Sequence, residues 1–341
     1  MKKRATRKGI VLPEGKLLPD VLDRLLRYTS RSPLIEVGAA CGEDAAVAAG
    51  AKTLVLTADP ITFTEERIGA YVVAVNANDV VAMGGRPQYL TTTILLPPGT
   101  TSSRLERVFA EVSEASAKAG LLWVGGHTEV TGAVNRVVIS GHAVGFLRRK
   151  PLSTSGARPG DAIGLTKWVG LEGTTLIARE RPAETERILG KKGYRAVLSW
   201  LEKPGISIVE EGRVLEGLSL TSGHDPTEGG VAMGIQEVCR RSGAGAMIFY
   251  ESLPLREETR LLCHRFRLDP LGLLSSGVFL FTAHPVVVAR AGRMLSARGI
   301  PCSIIGEVLN KSEGVWLVRE GRRERLRASA QDEIVKLAAA G

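Results

Sequence analysis

The chain has 341 residues, longer than one ordinary core accommodates, and suits two domains of about 150 residues each. It is 44% hydrophobic and 24% charged, and its 39 glycines are spread among apolar runs, which excludes disorder outside the ends. The net charge of +9 is dispersed and aromatics make up only 5%, so nothing resembles a nucleic-acid stripe; the charge fits solubility and attraction for an anionic substrate such as a nucleotide.

Cys41, Cys239, Cys263 and Cys302 are far apart and without metal-ligand spacing, which argues against a disulfide framework and a structural zinc site. They read as small core fillers in a reducing compartment. The basic first residues lead into Val11, Leu12 and Pro13, and no segment reaches membrane-spanning length. A cytoplasmic protein without membrane insertion is expected.

Along the chain, Leu18, Val21, Leu22, Leu25 and Leu26 recur at helical spacing within residues 17–28. Residues 53–57 have the β-branched, apolar character of a buried strand, with Asp59 at its end. Residues 68–83 form a helix that is apolar on every face except at Asn76, Asn78 and Asp79, and Gly84 and Gly85 stop it. A strand over 88–96, a turn at 97–99, an amphipathic helix over 103–119, a short strand over 121–124 running into Gly125 and Gly126, and a strand over 137–143 complete the first half. The domain boundary falls near Lys150, giving domains 1–150 and 151–341. Beyond it come a strand over 162–166, a helix from Gly173, strands over 246–250, 278–282 and 302–305, and helices over 231–242 and 286–298. The tail over 329–340 reads as a surface helix. The pattern is mixed α/β in both halves.

The chemistry is concentrated in acids at the ends of buried elements. Asp44 follows Gly42 and Glu43 before an Ala-Val run, Asp59 ends a strand, and Asp79 sits in an apolar helix; Glu129, Asp225 and Glu228 follow. A buried carboxylate is costly unless paired or hydrogen-bonded, and few basic residues lie nearby in sequence. Hard oxygen ligands without a matching Cys or His set favour Mg²⁺ held together with substrate phosphates, and hence an ATP site. Gly125-Gly126 and Gly229-Gly230 let backbone amides approach a phosphate, the second pair at a helix start. No Walker A or Gly-x-Gly-x-x-Gly sequence is present. Singly, each feature has an ordinary reading: Asp44 or Asp59 caps a turn, Asp79 is satisfied by amides or Arg86, and His127 is a hydrogen-bonded loop residue.

Jointly, Gly42-Glu43-Asp44-Ala45-Ala46-Val47, Thr57-Ala58-Asp59, the run from Asn78 to Pro87, Gly125-Gly126-His127-Thr128 and Asp225-Pro226-Thr227-Glu228-Gly229-Gly230 resemble, in order and spacing, the successive signatures of the AIR synthase superfamily. The similarity covers residues 15 to 310 and is greatest to its hydrogenase-maturation (HypE) branch. The resemblance implies a PurM-like two-domain α/β (α+β) architecture. In it, the N-terminal domain of a homodimer forms an intersubunit β-barrel, and ATP lies in the cleft near the interface. It implies Asp44, Asp59 and Asp79 as Mg²⁺ ligands, and Gly42, Glu43, Asp44, Thr57, Asn78, Gly125, Gly126, Thr128, Gly229 and Gly230 as nucleotide-binding positions. Asp79, His127 and Asp225 are the implied catalytic residues. The implied reaction moves the γ-phosphoryl of ATP to a carbonyl, amide or phosphate oxygen of a small or protein-borne acceptor.

Two departures qualify the resemblance. HypE-type proteins end in a Cys that carries a carboxamide, whereas this chain ends Ala338-Ala339-Ala340-Gly341, which leaves the acceptor unassigned. His127 stands where several relatives carry an acid, and imidazole is a poor Mg²⁺ ligand, so it suits a phosphate contact or acid-base work. Thiamine-monophosphate kinase and AIR synthase are the alternative enzymes. A non-catalytic nucleotide-binding scaffold or maturation factor is the alternative of another class.

Overall fold

The computed structural model describes residues 35–339 apart from 39, 49, 51, 63, 329 and 330, together with residues 19 and 33. The helix expected over 17–28 lies outside the described residues. The first half is a sheet of six strands, β1 (Ile35–Val37), β2 (Ala46–Ala48), β3 (Leu54–Ile61), β4 (Arg86–Leu96), β5 (Leu122–Val130) and β6 (Val138–Phe146). Their order is β1-β2-β3-β6-β4-β5, antiparallel except for the parallel pair β4 and β5.

Helices α1 (Ile68–Ala82) and α2 (Ser102–Ala119) pair with each other and cover one face of this sheet. Helix α1 is rich in β-branched valine, a modest helix former, and is set by burial instead: Ile68, Val72, Ala77, Val80 and Ala82 have no exposure at all. Its end follows the expected stop. Gly84, at φ 76°, donates to the Val81 carbonyl at 2.8 Å, and Gly85 donates to Val80 at 2.9 Å. Gly141 and Gly145 of β6 let the helix lie tight on the sheet, since a Cβ at either would collide with Asn76 or Val80.

The second half is a seven-stranded sheet, with β7 (Ala162–Thr166), β8 (Ser222–His224), β9 (Ala244–Phe249), β10 (Leu280–Ala283), β11 (Cys302–Asn310), β12 (Val315–Arg319) and β13 (Arg322–Arg325). Its order is β13-β12-β9-β11-β7-β10-β8. Helices α3 (Leu171–Glu180), α4 (Pro182–Leu198), α5 (Val209–Leu215), α6 (Gly230–Ser242), α7 (Glu257–Phe266) and α8 (Pro285–Ser296) surround it. One apolar cluster runs from Val55 and Val80 of the first half to Leu215, Phe279 and Leu295 of the second, so the halves share a core. No helix among the described residues is long and apolar enough to cross a membrane.

Several expectations are corrected. Asp59 lies inside β3, which continues to Ile61. The Gly125-Gly126-His127-Thr128 stretch belongs to β5 and is no loop. The tail contributes only a short helix, α9 (Val335–Ala339), whose Val335 is 44% exposed while Leu337, 2% exposed, packs with Ile177, Leu262 and Leu273. That apolar contact, not the tail's own propensity, holds it.

Candidate active site

Strand alternation explains how the first acids meet. In β3, Val55, Thr57, Asp59 and Ile61 face helix α1, and Leu56, Ala58 and Pro60 face the open side. Thr57 and Asp59 are therefore presented to the same helix that carries Asp79. Thr57 Oγ1 donates to Asp79 Oδ2 at 2.6 Å. Asn76 staples the strand in place, accepting from the Asp59 amide at 3.0 Å and donating to the Asp59 carbonyl at 3.1 Å.

Burial, then the charges of Asp59 and Asp44, push the Asp79 carboxyl well above the usual range, with the Thr57 hydrogen bond pulling the other way; Asp225 adds to the rise. Four carboxylates from separate stretches thus share one field. Asp225 directly follows β8 and is 3% exposed, and neither of its oxygens meets a donor at full hydrogen-bond geometry among the described residues, although the Asn78 amide stands beside it. Its carboxyl is likewise raised, by burial and by Asp44, offset by the Asn78 amide, His224 and Lys167. Arg86, the ordinary candidate for neutralising Asp79, pairs with Glu216 instead.

His224, directly before the Asp225 motif, has a role that only the structure supplies. Its Nδ1 lies 2.9 Å from Asp44 Oδ2 and its Nε2 lies 2.9 Å from Glu237 Oε2. Burial opposes a charge here, but Asp44 and Glu237 overcome it and hold the imidazole well above its ordinary value. The charged ring ties Asp44 of the first half to α6 of the second. Nothing local signals this contact, because the partners lie 180 and 13 positions away.

Other expected positions are used differently. Glu43 has a fully buried side chain whose carboxylate takes the Thr154 amide at 3.0 Å, Ser153 Oγ at 3.1 and 3.2 Å and Arg241 Nη2 at 3.0 Å. It straps the segment carrying Asp44 to the start of the second half, and its oxygens are committed there. Gly42, at φ 79°, packs so closely on Glu237 that a side chain would crowd it. Asn78 donates to the Ile206 carbonyl at 2.8 Å and accepts from the Ile208 amide at 2.9 Å, a tie between the halves. The Gly229 amide, expected to face a phosphate, donates to Asp332 Oδ2 at 2.9 Å, and the Gly230 amide donates to Thr227. The tail carboxylate thereby occupies the amino end of α6.

The β5 positions are not brought to the acids within one chain. Strands β4 and β6 separate β5 from β3. His127 is largely exposed, 3.5 Å from Glu129, and Gly125 and Thr128 are exposed beside it. Gly126 is required by close packing, since a Cβ would strike the Thr92 carbonyl.

Two buried groups escaped the sequence reading. Lys167, at φ 54°, donates to the Ser207 carbonyl at 2.7 Å and the Gly277 carbonyl at 2.8 Å, and its ammonium forms an ion pair with Glu211 Oε1 at 2.8 Å. Glu172, in the first turn of α3, is 1% exposed, and neither oxygen meets a donor at full hydrogen-bond geometry, although the Ser276 and Tyr71 hydroxyls stand beside it. Burial above all pushes its carboxyl from 4.5 to about 7. A carboxyl raised by folding favours the folded state while protonated, and that contribution is lost as pH rises through the interval from 4.5 to about 7. Urea unfolding of Glu172→Gln at pH 8 should show a gain of about 3 kcal/mol over the parent protein, with little difference at pH 4.5. Equal stabilities at pH 8 would refute the assignment.

The donor chemistry suits a magnesium ion: it is all oxygen, and it includes the buried Asp225 carboxylate, whose oxygens meet no donor at full hydrogen-bond geometry. Among the described residues no three His, Cys, Asp or Glu side chains form a group able to hold a metal ion. Phosphate or water oxygens would complete the shell, as Mg²⁺ commonly requires.

Residues 42–147 match the N-terminal domain, and residues 158–318 the C-terminal domain, of AIR synthase related proteins. The chain is 31% identical over 258 residues to the carbamoyl dehydratase HypE of Azotobacter vinelandii, covering 73% of this chain and 72% of that one. It is 26% identical over 312 residues to the HypE of Rhodobacter capsulatus, covering 88% of each. A crystal structure of the hydrogenase maturation protein HypE in complex with ATP superposes with a TM-score of 0.69 at 24% identity, covering 92% of this chain and 91% of that one.

Proposed function

The chain belongs to the AIR synthase-related family, and from that premise we propose that its acid-lined cleft binds ATP with Mg²⁺ and transfers the γ-phosphoryl to an oxygen of an acceptor. The acceptor oxygen is of the carbonyl, amide or phosphate type, as in a HypE-like activation. The observation that carries this reading is the convergence of Asp44, Asp59 and Asp225 on Asp79: burial first, then the charges of Asp59, Asp44 and Asp225, raise the Asp79 carboxyl, and burial with the charge of Asp44 raises that of Asp225. Four acids with one clamped imidazolium are poorly compensated until a cation arrives, and a cation there attracts phosphates.

Asp44, Asp59 and Asp79 would hold the ion only jointly with phosphate oxygens, since the described acids alone form no three-membered metal group, and the ion's chemistry would be to neutralise charge on the phosphates. Asp225 would face the reacting groups from the second half, and Thr57 would orient Asp79. In the transfer, the bond from the acceptor oxygen to Pγ forms while the bond from Pγ to the bridging oxygen breaks, releasing ADP. The test is calorimetric titration of ATP with and without Mg²⁺, followed by incubation with a metabolite extract while ADP is measured. Binding that ignores Mg²⁺ would defeat the reading, as would ADP formation that no extract stimulates. A direct assay with thiamine monophosphate decides the kinase alternative.

The protein is proposed to act in the cytoplasm as a homodimer. Leu122, Val124 and Val130 of the edge strand β5 are 55%, 59% and 60% exposed, a costly apolar row for a lone subunit. Pairing there would also bring His127 and Thr128 to a partner's cleft. Val124→Asp is expected to halve the solution mass measured by light scattering, and an unchanged mass would rule out β5 as the interface.

A further inference from the structure

A second cavity lies apart from the acids, and none of the four clustered carboxylates lines it. It is a groove of about 860 Å³, within the range of about 300–1,000 Å³ usual for small-molecule sites. One wall is the segment 148–152 that joins the two halves, and the opposite wall is α5 with the loop after it.

The groove is strongly cationic. Arg86, Arg148, Arg149, Lys150, Arg213 and Arg298 line it, against only two carboxylates, Glu210 and Glu216. Each carboxylate is already divided between two arginines: Glu216 between Arg86 and Arg148, the latter at 3.6 Å, and Glu210 between Arg213 at 3.5 Å and Arg298 at 3.1 Å. Arg149 has its Nη1 on the Gly217 carbonyl at 3.0 Å, a neutral acceptor. Arg148 and Arg298 are 65% and 64% exposed, so these pairs are weak and exchange readily for a better anion. The lining also includes the half-buried apolar side chains Leu152, Val214, Leu218 and Leu220.

We propose that this groove is a binding site for a small organic anion with an apolar body and a phosphate-type or carboxylate-type head. The surplus of guanidinium forks recognises the head, because planar arginines match such oxygens two at a time. The apolar side chains take the body. An inorganic anion alone would leave that surface unused, and a neutral apolar molecule would leave the positive surplus uncompensated. Because the wall at 148–152 joins the halves, an occupant there touches both of them.

The probe is the fluorescent amphipathic sulfonate 8-anilinonaphthalene-1-sulfonate, titrated into the full-length, nucleotide-free protein. Saturation at one probe per chain is expected, with affinity falling at least about tenfold in Arg149→Ala/Arg298→Ala and in the independent surface variant Lys150→Glu. Octyl phosphate should displace it. Binding should persist in Asp79→Asn and in the presence of ATP and Mg²⁺, so failure of the ATP reading and failure of this site are distinguishable. Affinity unchanged in both cationic variants would overturn the proposal, and so would loss of the probe on adding ATP.

Discussion

Asp79→Asn is expected to remove Mg²⁺-dependent ATP binding, with a loss of more than about a hundredfold in affinity by calorimetry. Asp79 sits where the fields of Asp59, Asp44 and Asp225 overlap, and Thr57 Oγ1 holds one of its oxygens at 2.6 Å. An amide keeps an oxygen for Thr57 but contributes no negative charge to a cation. The same change relieves repulsion among the acids, so the nucleotide-free variant should be no less stable than the parent at pH 8, which separates lost binding from lost folding. The raised carboxyls also set the pH dependence. Protons compete for the same oxygens, so affinity for ATP with Mg²⁺ should increase from pH 6 to pH 8. Full ATP affinity in Asp79→Asn, or affinity that declines with pH over this range, would remove Asp79 from the site.

The second large effect is expected at Lys167. Its ammonium and the Glu211 carboxylate are 3% and 1% exposed, and two backbone carbonyls complete the cation's contacts. Lys167→Met leaves an uncompensated buried carboxylate together with two carbonyls short of a donor, and should cost about 3–5 kcal/mol in urea unfolding. Lys167→Met/Glu211→Leu should recover much of that loss, because the stranded charge is then gone. A single variant as stable as the parent would show the pair to be dispensable. Lys167 also lowers the carboxyl of Asp225, so its loss should weaken ATP binding at neutral pH.

Much of the first half is legible in order. The apolar run with isolated polar residues at Asn76, Asn78 and Asp79 gives helix α1 almost to the residue, because an all-round apolar helix has to be buried and Gly84 terminates it. The β-branched stretch before Asp59 is a strand, although it extends further than the pattern suggests. Strand β5 is harder to see. Its apolar residues alternate around two glycines that read as a loop, and only pairing with β4 makes them a strand. Helices α4 and α7 were missed, being rich in charge and weakly apolar; they are held by contact with each other and with α3.

The amino-acid sequence by itself determined the family and the mixed α/β class, because motif spacing and burial of apolar runs are local properties of the chain. Only the tertiary structure decided which neighbours are spent on holding the site together. Glu43 straps, Asn78 ties, Asp332 caps Gly229, and His224 bridges Asp44 to Glu237. The physical reason is the same in each case. A polar group removed from water takes whichever partner the packed chain places within reach, and that partner is fixed by distance in space, not by position in sequence.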